Sequence, residues 1–125
     1  MNYIDMLTKL IARIPNSRSR QYSSPAYPKI IYINVTDSLH MCMIVYAARA
    51  ANVACQTDYF GGELESNCGL FMISLIISMN SDKSCLLFAL ALVNPMLHLK
   101  FIDEAEYEGL ECEYQDCLHS LDNDV

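Results

Sequence analysis

At 125 residues and with a hydrophobic fraction of 53%, the chain has the size of one domain, over residues 1–125, and too much apolar content for intrinsic disorder. Its formal net charge of −7 is unevenly spread: residues 1–50 carry six Lys/Arg against Asp5 and Asp37, and residues 51–125 carry Lys83 and Lys100 against thirteen Asp/Glu. That pattern argues against nucleic-acid binding by the second half, because duplex affinity comes largely from neutralising phosphates, and it leaves a basic protein as a partner the acidic half would steer.

Six cysteines, Cys42, Cys55, Cys68, Cys85, Cys112 and Cys117, raise the question of a secreted disulfide scaffold. Residues 1–14 alternate polar and apolar side chains instead of forming a leader's apolar stretch, and four of the six cysteines lie in or beside apolar runs, where a thiol behaves as a small hydrophobe. A cytoplasmic location is therefore expected, and the sequon at Asn34-Val35-Thr36 carries no weight. The two strongest apolar runs, Leu70–Met79 and Leu86–Val93, are split by Asn80–Ser84 and are each far shorter than the roughly 20 residues a spanning helix needs.

In chain order, Asn2–Ile14 predicts an amphipathic helix, with Ile4, Leu7, Leu10, Ile11 and Ile14 on one stripe and Asp5, Lys9 and Arg13 turned outward. Pro15 stops it, and Asn16–Pro28 reads as a loop or irregular strap. Lys29–Val35 reads as a strand, and Leu39–Ala47 as its hairpin partner, although the alanines after Tyr46 make a helix over Leu39–Asn52 the competing reading. Val53–Phe60 is a further strand candidate, ended by Gly61-Gly62. Cys68–Met79 is apolar on nearly every side, so its period decides nothing and its length leans to a helix buried on more than one face. Cys85–Val93 reads as a central strand, Asn94-Pro95 as a turn and Leu97–Ile102 as an antiparallel partner. Asp103 with Glu106 forms a capping box that opens a last helix to Leu121, which tolerates Gly109 at a cost of up to about 1 kcal/mol. The expected class is α+β, an antiparallel sheet with an N-terminal, a central and a C-terminal helix in the order α-β-β-(β)-α-β-β-α.

Chemistry is sparse. Cys112, Cys117 and His119 have no CxxC pair, and on a helix the two thiols stand about 140° apart, so no metal site is expected. His40 and Cys42 would share one face of a strand, which keeps a small cysteine-dependent enzyme open as an alternative. The carboxylates from Asp103 to Asp116 come as a run, which is ordinarily a solvated face, and no glycine pattern cradles a phosphate. No catalytic residue and no cofactor is expected. An acidic inhibitor or adaptor that binds a folded basic partner is a second alternative.

The layout resembles the class I type III secretion chaperones, small acidic proteins that bind secreted effectors in the bacterial cytoplasm. Met6-Leu7-Thr8-Lys9-Leu10-Ile11 resembles their opening helix, Leu75-Ile76-Ile77-Ser78-Met79-Asn80 their central helix, and Leu86–Leu92, Asn94-Pro95, Leu97-His98-Leu99 and Ile102-Asp103 their strand–turn–strand–helix ending. It departs from them at Ile14-Pro15-Asn16-Ser17 and at Ala47-Ala48, and it lacks their C-terminal Trp, where Tyr114 stands nearby. The resemblance implies a virulence-associated homodimer whose central helix, here Leu70, Phe71, Ile73, Leu75 and Ile76, forms the dimer contact. It also implies an effector's N-terminal region wrapped in extended form over surface grooves, for which Ile4, Leu7, Ile11, Ile14, Ile31 and Ile33 are the candidate anchors.

Overall fold

In the computed structural model, which describes residues 2–24, 27–60 and 72–123, four helices and four strands are found. In chain order they are α1 (Tyr3–Ile11), β1 (Arg18–Ser24), β2 (Tyr27–Val35), α2 (Ser38–Ala50), β3 (Ala54–Phe60), β4 (Met72–Met79), α3 (Asp82–His98) and α4 (Glu104–Asn123). The strands form one antiparallel sheet in the order β1-β2-β4-β3. The α+β class and the antiparallel sheet agree with the sequence reading, but the order of elements, α-β-β-α-β-β-α-α, does not.

Local signals explain each element. Asn2 caps α1 by accepting from the N–H groups of Ile4 and Asp5 at 3.1 and 3.3 Å, and the helix buries Ile4, Leu7, Leu10 and Ile11 as its spacing predicts. Past it, Asn16 takes a left-handed φ of 58°. The Ser/Arg stretch expected as a loop is instead β1 and the start of β2, a hairpin that pairs Arg18 with Asn34 and Gln21 with Ile31. On β1, Gln21 donates to Asp5 of α1 at 2.6 Å.

Three segments exchange helix for strand. Leu39–Ala47, read as a strand, lies in α2, whose N-cap Asp37 accepts from Leu39 and His40 at 2.7 and 3.3 Å. The helical alternative thus prevails, and the alanines at 47, 48, 50 and 51 favour it. The described part of Cys68–Met79, read as a helix, is β4; Ile73, Leu75, Ile77 and Met79 alternate inward, and pairing with β2 on one side and β3 on the other makes it a central strand. Residues 68–71 and Gly61-Gly62 lie outside the described residues. Cys85–Val93, read as a strand, is α3, capped by Ser81, whose Oγ accepts from the Ser84 N–H at 3.1 Å.

The strand expected over Leu97–Ile102 is the end of α3 and its exit. Lys100 adopts a φ of 63°, Phe101 N–H donates to the Met96 carbonyl at 2.9 Å and Lys100 N–H to that of Leu97 at 3.0 Å, which is a Schellman ending. Pro95, read as a turn residue, sits within α3. The last helix begins as its capping box predicts, the Glu106 N–H donating to Asp103 Oδ1 at 2.8 Å.

The core lies between the sheet and the helices. Ile31, Ile33 and Val35 of β2 and Ile73, Leu75 and Ile77 of β4 are fully buried against α1, α2 and α3, with Phe88, Leu92 and Met96 of α3 at the centre. On the opposite sheet face, where no described helix packs, Ile30, Tyr32 and Ile76 are half-buried and Arg18, Arg20 and Gln56 exposed. A third layer is formed by α4, which packs on α3 antiparallel to it, Lys83 near the start of α3 meeting Asp122 near the end of α4 at 3.3 Å. No described helix is long and apolar enough to cross a membrane.

Candidate functional site

Two helices that both lean on α3, the first and the last, leave a cleft between them of about 810 Å³. Its floor is apolar: Leu10 is buried, Tyr114 is 1% exposed, and Met6 and Leu110 are half-buried. Its rims are charged, with Asp5 and Lys9 from α1 and Glu113 from α4 exposed. These positions recur every three or four residues on each helix, so the cleft follows one flank of each for about three turns. At one end Arg13 makes a two-pronged ion pair with Glu106 and also donates to the Phe101 carbonyl at 3.2 Å. Hydrogen bonding to Arg13 holds the Glu106 carboxyl below its ordinary range, and the same bond raises the guanidinium. The pair is therefore intact at neutral pH and is lost as the carboxyl protonates on acidification.

Gly109 lies in the wall of this cleft, in mid-helix, and a Cβ built there meets nothing within 4 Å. A glycine in a helix interior costs about 0.8–1 kcal/mol relative to alanine. Here neither crowding nor a left-handed φ asks for it. What the absent side chain does leave is room in the cleft.

Around this cleft α4 is strongly acidic. Glu104, Glu106, Glu108, Glu111, Glu113, Asp116 and Asp122 lie on it, with no Lys or Arg. Burial, with lesser contributions from Glu113 and Cys117, pushes the Tyr114 phenol up to about 12, so the floor stays neutral across the physiological range. A shallower depression of about 600 Å³ lies along the outer side of α4, lined by Tyr107, Glu111, Cys112 and Asp116.

The anchors expected from sequence are elsewhere. Ile4, Leu7, Ile11 and Ile14 are 3%, 0%, 0% and 1% exposed on the inner face of α1, and Ile31 and Ile33 are fully buried in β2. They hold the fold together and line neither of the two depressions beside α4, because the apolar stripe of α1 is turned to α3 and the sheet. Of the expected dimer residues, Leu70 and Phe71 lie outside the described residues, Ile73 and Leu75 face the core, and Ile76 points to the opposite sheet face. The three described ones therefore do not lie on one face, since a strand turns successive side chains to opposite sides and Ile76 stands apart from Ile73 and Leu75.

The possible Cys42–His40 pair is also separated. Two residues apart on a strand they would share a side; on α2 they are about 160° apart. Cys42 is exposed, while His40 turns inward, its ring edge-on to Phe101 at 5.0 Å. Among the described residues no three His, Cys, Asp or Glu side chains are grouped as metal ligands; Cys112 and His119 are exposed.

The sequence showed the cost of Gly109, but not the cleft that Gly109, Leu110 and Tyr114 make with Met6 and Leu10. An unforced glycine inside an otherwise well-capped helix was the signal that pointed to it. Of the segments that carry the family resemblance, Met6–Ile11 is helix as expected, while two exchange their roles: Leu75–Met79 is strand and Leu86–Leu92 is helix. No family model matches the chain, and no curated protein or solved structure matches it either.

Proposed function

We propose that this protein is a non-catalytic binding module that holds a short segment of another protein in the cleft between α1 and α4. The observation that carries the reading is Gly109: a costly residue with no local need for it widens a cleft whose floor is apolar and whose rims are charged. Retaining room for a ligand at the expense of helix stability is the usual form of a stability–function trade-off. The segment that fits is an amphipathic helix of about three turns, with apolar side chains every third or fourth residue toward Leu10, Leu110 and Tyr114. Its outer side carries Lys or Arg, drawn by the seven carboxylates of α4. An effector's N-terminal region, as the chaperone resemblance implies, is one client of this kind, held here in a helix-sized cleft rather than wrapped in extended form. The acidic-adaptor alternative shares the basic partner but needs no cleft.

Random-peptide phage display on the wild-type protein, with a Gly109→Leu variant as counter-target, tests this. Selected peptides are expected to be amphipathic and basic, and to lose at least about tenfold in affinity for Gly109→Leu, as filling a preformed pocket does. Gly109→Ala is expected to bind nearly as well and to unfold at a higher temperature, by up to about 1 kcal/mol of stability. Peptides that bind Gly109→Leu and wild type equally would remove the cleft from the account.

A further inference from the structure

We infer that the outer face of α2 is the contact by which two copies of this chain pair about a two-fold axis. Leu39 and Tyr46 are the large apolar side chains that stand well exposed among the described residues, at 56% and 67%, and both lie on this one helix. Seven residues apart, they fall within about 20° of each other around the axis, with exposed Cys42 between them and Arg49 one turn beyond. This stripe lies on a helix without a single Asp or Glu in a protein of net charge −7, so two copies that approach there are spared the repulsion of like carboxylates from that helix.

The face is complementary to itself. Asp37 caps the start of α2 and Arg49 stands in its last turn, twelve residues and about 18 Å away. Their midpoint is Met43; the midpoint of Leu39 and Tyr46 falls between Cys42 and Met43. A single two-fold axis there, with the helices antiparallel, therefore sets Leu39 against Tyr46 of the second copy and Arg49 against Asp37 of the second copy, in register to about half a residue. Antiparallel helix dipoles favour the same arrangement. Asp37 uses only Oδ1 to cap Leu39 and His40, which leaves Oδ2 to accept from a guanidinium. Arg49 makes no salt bridge among the described residues. The α1–α4 cleft takes no part in this contact.

Sedimentation velocity on the full chain over a concentration series tests the pairing. A dimer is expected, with Leu39→Glu and Tyr46→Glu each raising its Kd by at least about tenfold and Arg49→Asp by a smaller factor. Circular dichroism and thermal unfolding of the monomeric variants should match wild type, because all three positions are exposed. In the wild-type protein a short bismaleimide should link Cys42 to Cys42 of the second copy, read by peptide mapping, while Gly109→Leu leaves the dimer intact. A monomer at every concentration overturns the inference. So does a dimer whose Kd ignores the Leu39 and Tyr46 substitutions, which would move the contact to another surface, such as the open sheet face.

Discussion

Replacing Ile11 by Asp will unfold the protein, not selectively weaken its binding. Ile11 has no exposed surface and packs at the C-terminal end of α1 against the core formed with α3 and the sheet. Removing a buried isoleucine costs about 2–5 kcal/mol in lost burial and cavity. The carboxylate put in its place takes a fully buried position, so it must either be buried charged or bind a proton, which adds several kcal/mol at neutral pH. Together these equal much or all of the roughly 5–15 kcal/mol that stabilises a domain of this size. Leu7→Asp is expected to behave the same way, since Leu7 is equally buried. Far-UV circular dichroism and urea titration read the outcome directly. A cooperative transition near the wild-type midpoint for either variant would mean that α1 is not docked as described. Substitutions meant to probe binding belong instead on the cleft side of the same helix, at Met6 or Lys9.

Alkaline pH will destabilise the fold in two overlapping steps. Cys85 has no exposed surface at the start of α3, and burial, opposed by Lys29 and reinforced by Asp82, pushes its thiol up from 9.0 to about 11. Tyr114 rises from 10.0 to about 12 in the same sense, again chiefly through burial. For both groups the folded state favours the protonated form, so their stabilising effect is complete below the unfolded value and is lost as pH rises through the folded one. Unfolding free energy should therefore fall from about pH 9 upward, by at most about 3 kcal/mol per group. The urea midpoint measured against pH checks this, and Cys85→Ala should flatten the first part of the fall. A midpoint constant to pH 12 would contradict the burial of both side chains. In the same protein a maleimide reagent at neutral pH should modify Cys42 and Cys112 quickly and Cys85 only after unfolding, because Cys85 is both inaccessible and protonated.

The parts of this fold that were legible in the sequence are those with one wet face. In α1 and α4 a polar side is set against an apolar stripe, each with a capping residue, and in β2 Ile31, Ile33 and Val35 alternate with half-buried positions. Where an element is covered on several sides, the hydrophobic period loses its information. This is why β4, hydrogen-bonded on both edges, and α3, wedged between the sheet and α1, α2 and α4, were exchanged. Composition held the answer that period withheld. Ile73, Ile76 and Ile77 are β-branched and suit a strand, whereas Leu86, Leu87, Ala89, Leu90, Ala91 and Leu92 are strong helix formers. Ser81 supplied the cap. The cleft was harder to see because it is built from the flanks of two helices a hundred residues apart, and sequence spacing within either helix gives no sign that the other lies beside it. Only Gly109, costly where it stands, marked the place.

What occupies the space beside Gly109 decides whether this protein is a binding module. A heteronuclear NMR titration of the full chain with a peptide from the display selection would locate it. Binding in the cleft predicts that amide shifts concentrate on Met6, Lys9, Leu10, Gly109, Leu110 and Glu113, and that they vanish in Gly109→Leu while its fold persists. Shifts that gather instead on the open face of the sheet, around Tyr32 and Ile76, or that survive unchanged in Gly109→Leu, would contradict it.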